Sequence, residues 1–185
     1  MLGLDPSIQS ESRRCMDPRG KPEGDKRVCC RSCVDREIFV TIRLATSNDL
    51  PALQAIAVKA YAPYIARMGR EPAPMRPDFA RHITADTVFV CDEGGVKAYA
   101  VIITNEDEAL LDNIAVDPNA QGQRFGAKLL IHVESYLRDE DFSAYTLYTN
   151  VHMTQNIAWY TRAGFTETGR STQAGFERVF FRKTL

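Results

Sequence analysis

The segment VDPNAQGQRFGAKLL, residues 116–130, places glycines and hydrogen-bonding side chains where a strand gives way to a helix. Asp117-Pro118-Asn119 supplies the turn that ends the apolar run before it. A helix entered directly from a strand points unpaired N–H groups and the positive end of its dipole beyond the strand, which makes an anion site. Gly122 and Gly126 let a bulky polyanion approach the main chain, while Gln121, Gln123 and Arg124 add side-chain donors. Taken alone, the pattern equally describes a helix start that happens to hold two glycines. Two phosphate motifs are excluded. The nucleotide P-loop needs Gly-Lys-Ser/Thr, and here Lys128 is followed by Leu129; the dinucleotide fingerprint needs a third glycine that this stretch lacks.

The elements that must position this junction follow from periodicity. Ile38, Val40, Ile42 and Leu44 alternate with Phe39, Thr41 and Arg43, predicting a strand over 38–45. Leu50, Leu53, Ile56, Ala57 and Ala60 form an apolar stripe at helical spacing, with Ser47 or Asn48 as candidate N-cap. Residues 67–78, with one Gly and three Pro, are expected as loop, followed by a short helix in PDFARHIT. TVFVCDE, VKAYAVIIT and ALLDNIAV read as three antiparallel strands joined by Gly94-Gly95 and by NEDE. Phe125, Leu129, Val133 and Leu137 predict a helix to about residue 138. AYTLYTN then makes strand, helix, strand, a right-handed crossover with parallel pairing. TQNIAWYTRAG is a short helix with Thr154 as candidate N-cap and Gly164 at its end, and FTETGRS with FERVFFRK closes the chain as a hairpin. The fold class is α/β, a mixed, mostly antiparallel sheet with one parallel crossover and flanking helices.

At 185 residues and 44% hydrophobic, the chain suits one ordinary core. The polar, Pro- and Gly-bearing residues 1–36 lack sustained periodicity and are expected as a disordered extension, leaving 37–185 as the folded domain. A net charge of -1 provides no global basic surface, so nucleic acid is not an expected partner. Without a membrane-length apolar run or a secretory pattern, no membrane partner and a cytoplasmic location are expected. Cys30-x-x-Cys33 could be half a zinc site with Cys15 as third ligand, but zinc needs four, and solvated tail thiols are the reading preferred; no metal is expected.

Read together, LLDNIAVDPNAQGQRFGAKLL and the later WYTRAGF resemble the GNAT superfamily of N-acetyltransferases, with local similarity to the branch that acetylates a ribosomal-protein N-terminus. The resemblance spans residues 38–185 and is densest over 110–165. It implies an acyl-CoA N-acyltransferase fold, acetyl-CoA as co-substrate without metal, and a primary amine of a small molecule or peptide as acceptor; a homodimer is compatible with it. The family's pyrophosphate pattern falls on Gln121, Arg124, Gly126 and Ala127 within a cofactor-binding run of Gln121, Gly122, Gln123, Arg124, Phe125, Gly126 and Ala127. Arg124 replaces the first consensus glycine; its N–H serves if its dihedrals are helical, whereas a positive φ would cost roughly 1–2 kcal/mol. By the same resemblance, a bulge in the preceding strand frees main-chain groups of Ile114, Ala115 and Val116 to hold the pantetheine arm and polarise the thioester carbonyl.

Attack of an amine on a thioester needs no enzyme nucleophile. The family's Tyr-x-x-x-Gly-Phe pattern assigns Tyr160 as proton donor to the departing sulfur, and a phenol of pKa about 10 needs help from its setting to protonate a thiolate of about 8.5. The family's pantetheine-binding Asn is Met153 here, leaving Asn150 or Asn156 as substitutes. The ribosomal branch's basic Glu is Tyr148, so Asp112, Glu108 and His152 are the candidate bases, with Asp112 standing equally as a structural acid. The acceptor is expected to meet the first helix and the 67–78 loop, where Arg67, Arg70 and Arg76 could bind an anionic group and Tyr61 and Tyr64 could line the pocket. The alternative is a noncatalytic acyl-CoA-binding sensor on the same scaffold; a metal-linked interaction protein working through the cysteine-rich tail is a third reading.

Overall fold

A computed structural model of the protein describes residues 40–85 and 87–185. The expected extension 1–36, with Cys15, Cys30 and Cys33, and the start of the first expected strand lie outside the described residues. Among the described residues, seven strands form one sheet: β1 (Thr41–Leu44), β2 (Val88–Asp92), β3 (Val96–Thr104), β4 (Ala109–Val116), β5 (Ala144–Asn150), β6 (Thr166–Gln173) and β7 (Phe176–Thr184), in the order β1-β2-β3-β4-β5-β7-β6. Every neighbouring pair is antiparallel except β4 with β5. Four helices among the described residues flank it: α1 (Leu50–Met68), α2 (Phe79–Thr84), α3 (Phe125–Asp139) and α4 (Thr154–Arg162).

Period-2 alternation divides the core between the two faces of the sheet. Phe89, Cys91, Ala98, Ala100 and Ile102 pack with Phe125, Leu129 and Val133 of α3, while Val88, Val90, Tyr99 and Val101 pack with Leu53, Ile56 and Ala57 of α1. On β4 the alternation is interrupted. The β3–β4 register passes from Val101↔Asn113 to Ile102↔Leu111, so Asp112 is an extra, bulged residue. Ala109 and Leu111 therefore belong to the α3 face, but beyond the bulge it is Ile114 and Val116 that pack there, and Ala115 that packs on the α1 face. The bulge reverses which side chains of ALLDNIAV meet each helix.

Three local expectations shift. Thr46, not Ser47 or Asn48, opens the first helical region: it caps a 3-10 turn at Ser47–Asp49, and Asp49 then precedes α1. The Asp49 carboxylate accepts from the Thr46 N–H (2.8 Å) and is forked by Arg43 (2.8 and 2.9 Å), whose guanidinium also reaches Asp92 at 2.7 Å, joining β1, β2 and the start of α1. These donors hold the Asp49 carboxyl well below the usual carboxylate range, the Arg43 hydrogen bonds contributing most. Helix α1 runs through the exposed Pro63 to Met68 and stops where Gly69 turns left-handed (φ 67), so the loop begins two residues later than expected and contains a 3-10 turn at Ala73–Met75. Met153, rather than Thr154, precedes α4.

Candidate active site

Strands β4 and β5 pair only at Leu110↔Thr146 and Leu111↔Leu147, then part although both continue. The parting opens a gap in the middle of the sheet, and two clefts enter it. Asp117 N donates to Lys97 O at 2.8 Å, so by antiparallel alternation Ala115 also directs its main chain to β3, while Ile114 and Val116 direct theirs into the gap. The Ile114 carbonyl there accepts weakly from the Tyr61 hydroxyl at 3.3 Å. The freed groups thus come from the separation of the strands and belong to Ile114 and Val116; the bulge sits earlier, at Asp112, and the Ala115 main chain is engaged.

One cleft, about 520 Å³, runs from this gap to the start of α3. Of the residues expected to hold cofactor, Ile114, Ala115, Val116, Gln121, Gly122, Arg124, Phe125, Gly126 and Ala127 line it; Gln123 does not. The first main-chain bond of α3 runs from Lys128 N to Arg124 O (3.0 Å), and the N–H groups of Phe125, Gly126 and Ala127 have no acceptor among the described residues. Arg124 precedes the helix with φ 64 and ψ 17, the left-handed conformation, so it holds a glycine-type position with an L side chain. Gly126 is needed for close approach: a Cβ there would stand 3.2 Å from Trp159 Cζ2 and 3.5 Å from Val116 Cγ2. These features fit a diphosphate, which needs several convergent N–H donors and room beside the main chain.

The other cleft, about 240 Å³, lies between the 69–77 loop, the β6–β7 hairpin and the splayed strands. Tyr61, Ile114, Asn156 and Tyr160 line both clefts, so the two meet at these four residues. Tyr160 is 7% exposed, its ring packed on Phe165, Phe181 and Trp159, and its hydroxyl has no hydrogen-bond partner among the described residues. Burial pushes its pKa above that of an ordinary phenol, so the group stays protonated and can donate a hydrogen bond; the shift runs opposite to the help a phenol needs to release its proton to a thiolate. Asn156 accepts from the Tyr64 hydroxyl at 3.2 Å and donates toward Met153 Sδ at 3.7 Å, which places an amide at the junction where Met153 cannot supply one.

Asp112 lines the second cleft, where its Oδ1 accepts from the Tyr148 hydroxyl at 3.1 Å. Glu108 and His152 are exposed and line neither cleft. The three loop arginines are also elsewhere. Arg76 pairs with Glu71 at 2.9 Å; Arg70 lies 3.4 Å over the Phe176 ring and donates to Gly175 O; Arg67 stands over Tyr64 at 5.8 Å. The cation that lines the second cleft is Arg178 of β7, stacked on Tyr148 at 4.1 Å. Sequence reasoning also missed Asn113, 3% exposed, whose Oδ1 accepts from Tyr61 (2.8 Å) and Tyr99 (3.3 Å) while its Nδ2 donates to Pro74 O at 3.1 Å. A lone amide in an apolar strand was the available signal, since a buried one must find partners.

The central sheet is split by a parallel pair that separates, with a helix start aimed into the split, and comparison with known proteins shows the family that shares this fold. The sequence profile of the Acetyltransferase (GNAT) family matches residues 52–165, and the chain belongs to that family. Among solved structures, the ribosomal-protein-S18-alanine N-acetyltransferase from Escherichia coli is similar at 25% identity and TM-score 0.63, with 79% of this chain and 94% of that one covered. The ribosomal-protein-alanine N-acetyltransferase from Brucella melitensis is similar at 26% identity and TM-score 0.63, covering 78% and 99%. A Thermoplasma acidophilum N-acetyltransferase solved with coenzyme A shares the fold at 14% identity and TM-score 0.66, covering 80% and 99%. No curated protein matches the chain significantly.

Proposed function

We propose that this protein transfers the acetyl group of acetyl-CoA directly to a primary amine of a small molecule or peptide. The observation that carries the reading is the meeting of two clefts at Tyr160 and Ile114, one of them ending at the unpartnered N–H groups of Phe125, Gly126 and Ala127. Those donors receive the diphosphate and Arg124 adds charge from the rim. The N–H groups of Ile114 and Val116 hold the pantetheine arm and polarise the thioester carbonyl. Asp112 or water takes one proton from the acceptor ammonium. The neutral nitrogen then bonds to the carbonyl carbon, the C–S bond breaks, and the sulfur takes a proton from Tyr160, which regains one as the amide nitrogen loses its second. Cys91, the one cysteine among the described residues, is buried in the core and lines neither cleft, which favours direct attack over an acyl-enzyme. The second cleft, opening onto Tyr160, favours a transferase over a noncatalytic sensor.

The test is Tyr160→Phe, assayed by release of free CoA on a panel of amines, beside calorimetric titration with acetyl-CoA. Turnover is expected to fall by about 100-fold with cofactor affinity nearly unchanged. Wild-type protein that does not bind acetyl-CoA saturably, or a variant with undiminished turnover, contradicts the cofactor assignment and the Tyr160 assignment respectively.

A further inference from the structure

The second cleft is dominated by apolar residues, including Met68, Pro72, Pro74, Leu111 and Phe176, yet two groups of opposite charge share it. Asp112 stands next to Asn113 and Ile114, at the side where the clefts meet. Arg178 lies over the Tyr148 ring and within reach of its hydroxyl. Tyr148 contacts both: its hydroxyl donates to Asp112 Oδ1 at 3.1 Å and its ring carries the guanidinium at 4.1 Å. Arg178 makes no ion pair among the described residues, and the groups it meets, Gln173 Oε1 at 3.5 Å and the Tyr148 hydroxyl, are neutral. A half-buried guanidinium with no anionic partner among the described residues is suited to a carboxylate, which it can bind in two parallel hydrogen bonds.

Resting on the acetyl-transfer reading above, we propose that the acceptor is a free amino acid with an apolar side chain. Its carboxylate binds Arg178, its ammonium faces Asp112 beside Tyr160, and its side chain lies against Met68, Leu111 and Phe176. Both charges touch the same tyrosine, a spacing that a molecule whose amine and carboxylate are a few bonds apart can span. A cleft of about 240 Å³, roughly eight water volumes of about 30 Å³, holds a molecule of that size. A peptide N-terminus, whose first carbonyl is an uncharged amide, leaves Arg178 without an anion; this distinguishes the acceptor from a protein tail. The zwitterion answers both charges at once, and the reactive nitrogen falls on the side that opens to the cofactor cleft.

The experiment titrates protein saturated with CoA with L-leucine, L-methionine and L-phenylalanine and with the primary amide of each, by calorimetry, using the full chain and Arg178→Gln. Wild-type protein is expected to bind the acids about tenfold or more tightly than the amides, the discrimination of one charge-assisted bidentate contact, and Arg178→Gln is expected to erase that preference. The wild-type comparison stands even if the variant does not fold. Equal binding of acid and amide, no binding of either, or a preference that survives in Arg178→Gln overturns the proposal. A parallel assay of CoA release from acetyl-CoA separates the two readings. Acid-selective binding without release refutes acetyl transfer and leaves the pocket assignment; release with amides and acids alike refutes the pocket assignment and leaves acetyl transfer.

Discussion

Replacing Arg124 by glycine and, separately, by alanine divides its backbone role from its side-chain role. The residue holds φ 64 immediately before α3, where an L side chain costs roughly 1–2 kcal/mol. Glycine removes that strain but has more unfolded-chain freedom, a loss of about 0.5–1 kcal/mol against alanine. The difference leaves Arg124→Gly more stable than Arg124→Ala by about 0–1.5 kcal/mol, centred on about 0.75, or up to roughly 6 °C in Tm for a chain of this size. The side chain is exposed, so its contact with a phosphate is worth only about 0.2–1 kcal/mol, and the Kd for CoA should rise by about 1.5- to 5-fold in both variants alike. Thermal unfolding without ligand reads the first quantity and calorimetry with CoA the second. An alanine variant that melts above the glycine variant refutes the left-handed placement of Arg124. Wild-type affinity in both removes the guanidinium from the phosphate site.

Two more changes probe the site and its frame. Gly126→Val adds a branched side chain where a Cβ alone stands 3.2 Å from Trp159, so the helix start or the indole must move; a Kd for CoA raised about tenfold and a stability loss of about 1–3 kcal/mol are expected, and wild-type affinity in calorimetry would show that close packing there is not required. Asp49→Asn removes the charge forked by Arg43 and is expected to cost roughly 1–3 kcal/mol at neutral pH. Because folding depresses this carboxyl, its stabilisation is complete above the unfolded value of about 3.9 and is lost as pH falls toward the folded one. The Tm gap between wild type and Asp49→Asn should therefore narrow progressively below about pH 4, and a gap that stays constant in acid would refute the assignment.

The chain's elements were legible where local chemistry decides them. The alternation in VKAYAVIIT, the i+4 series from Phe125 to Leu137 and the Pro- and Gly-marked turns predict strands, helix and connections close to those observed, because backbone periodicity and side-chain polarity are properties of neighbouring residues. The mixed sheet with its single parallel pair was legible for the same reason: a strand, a helix and a strand in series pack back only as a crossover. Caps were less legible, since Ser47, Asn48 and Thr154 are all adequate cap residues; at the first site the capping residue is settled by the Arg43–Asp49 contact from another strand.

What tertiary structure alone decided is which distant residues share a space. No local pattern indicates that β4 and β5 separate after two paired residues, that the bulge at Asp112 reverses the faces beyond it, or that Arg178 rather than Arg67, Arg70 or Arg76 reaches the second cleft. Nor does it show that Arg124 must turn left-handed, because φ there depends on how the turn after Val116 meets the helix packed on Trp159. Sequence determines periodicity and chemistry residue by residue; strand separation, register and side-chain convergence depend on contacts between positions as far apart as Tyr61 and Asn113, which exist only once the sheet has formed.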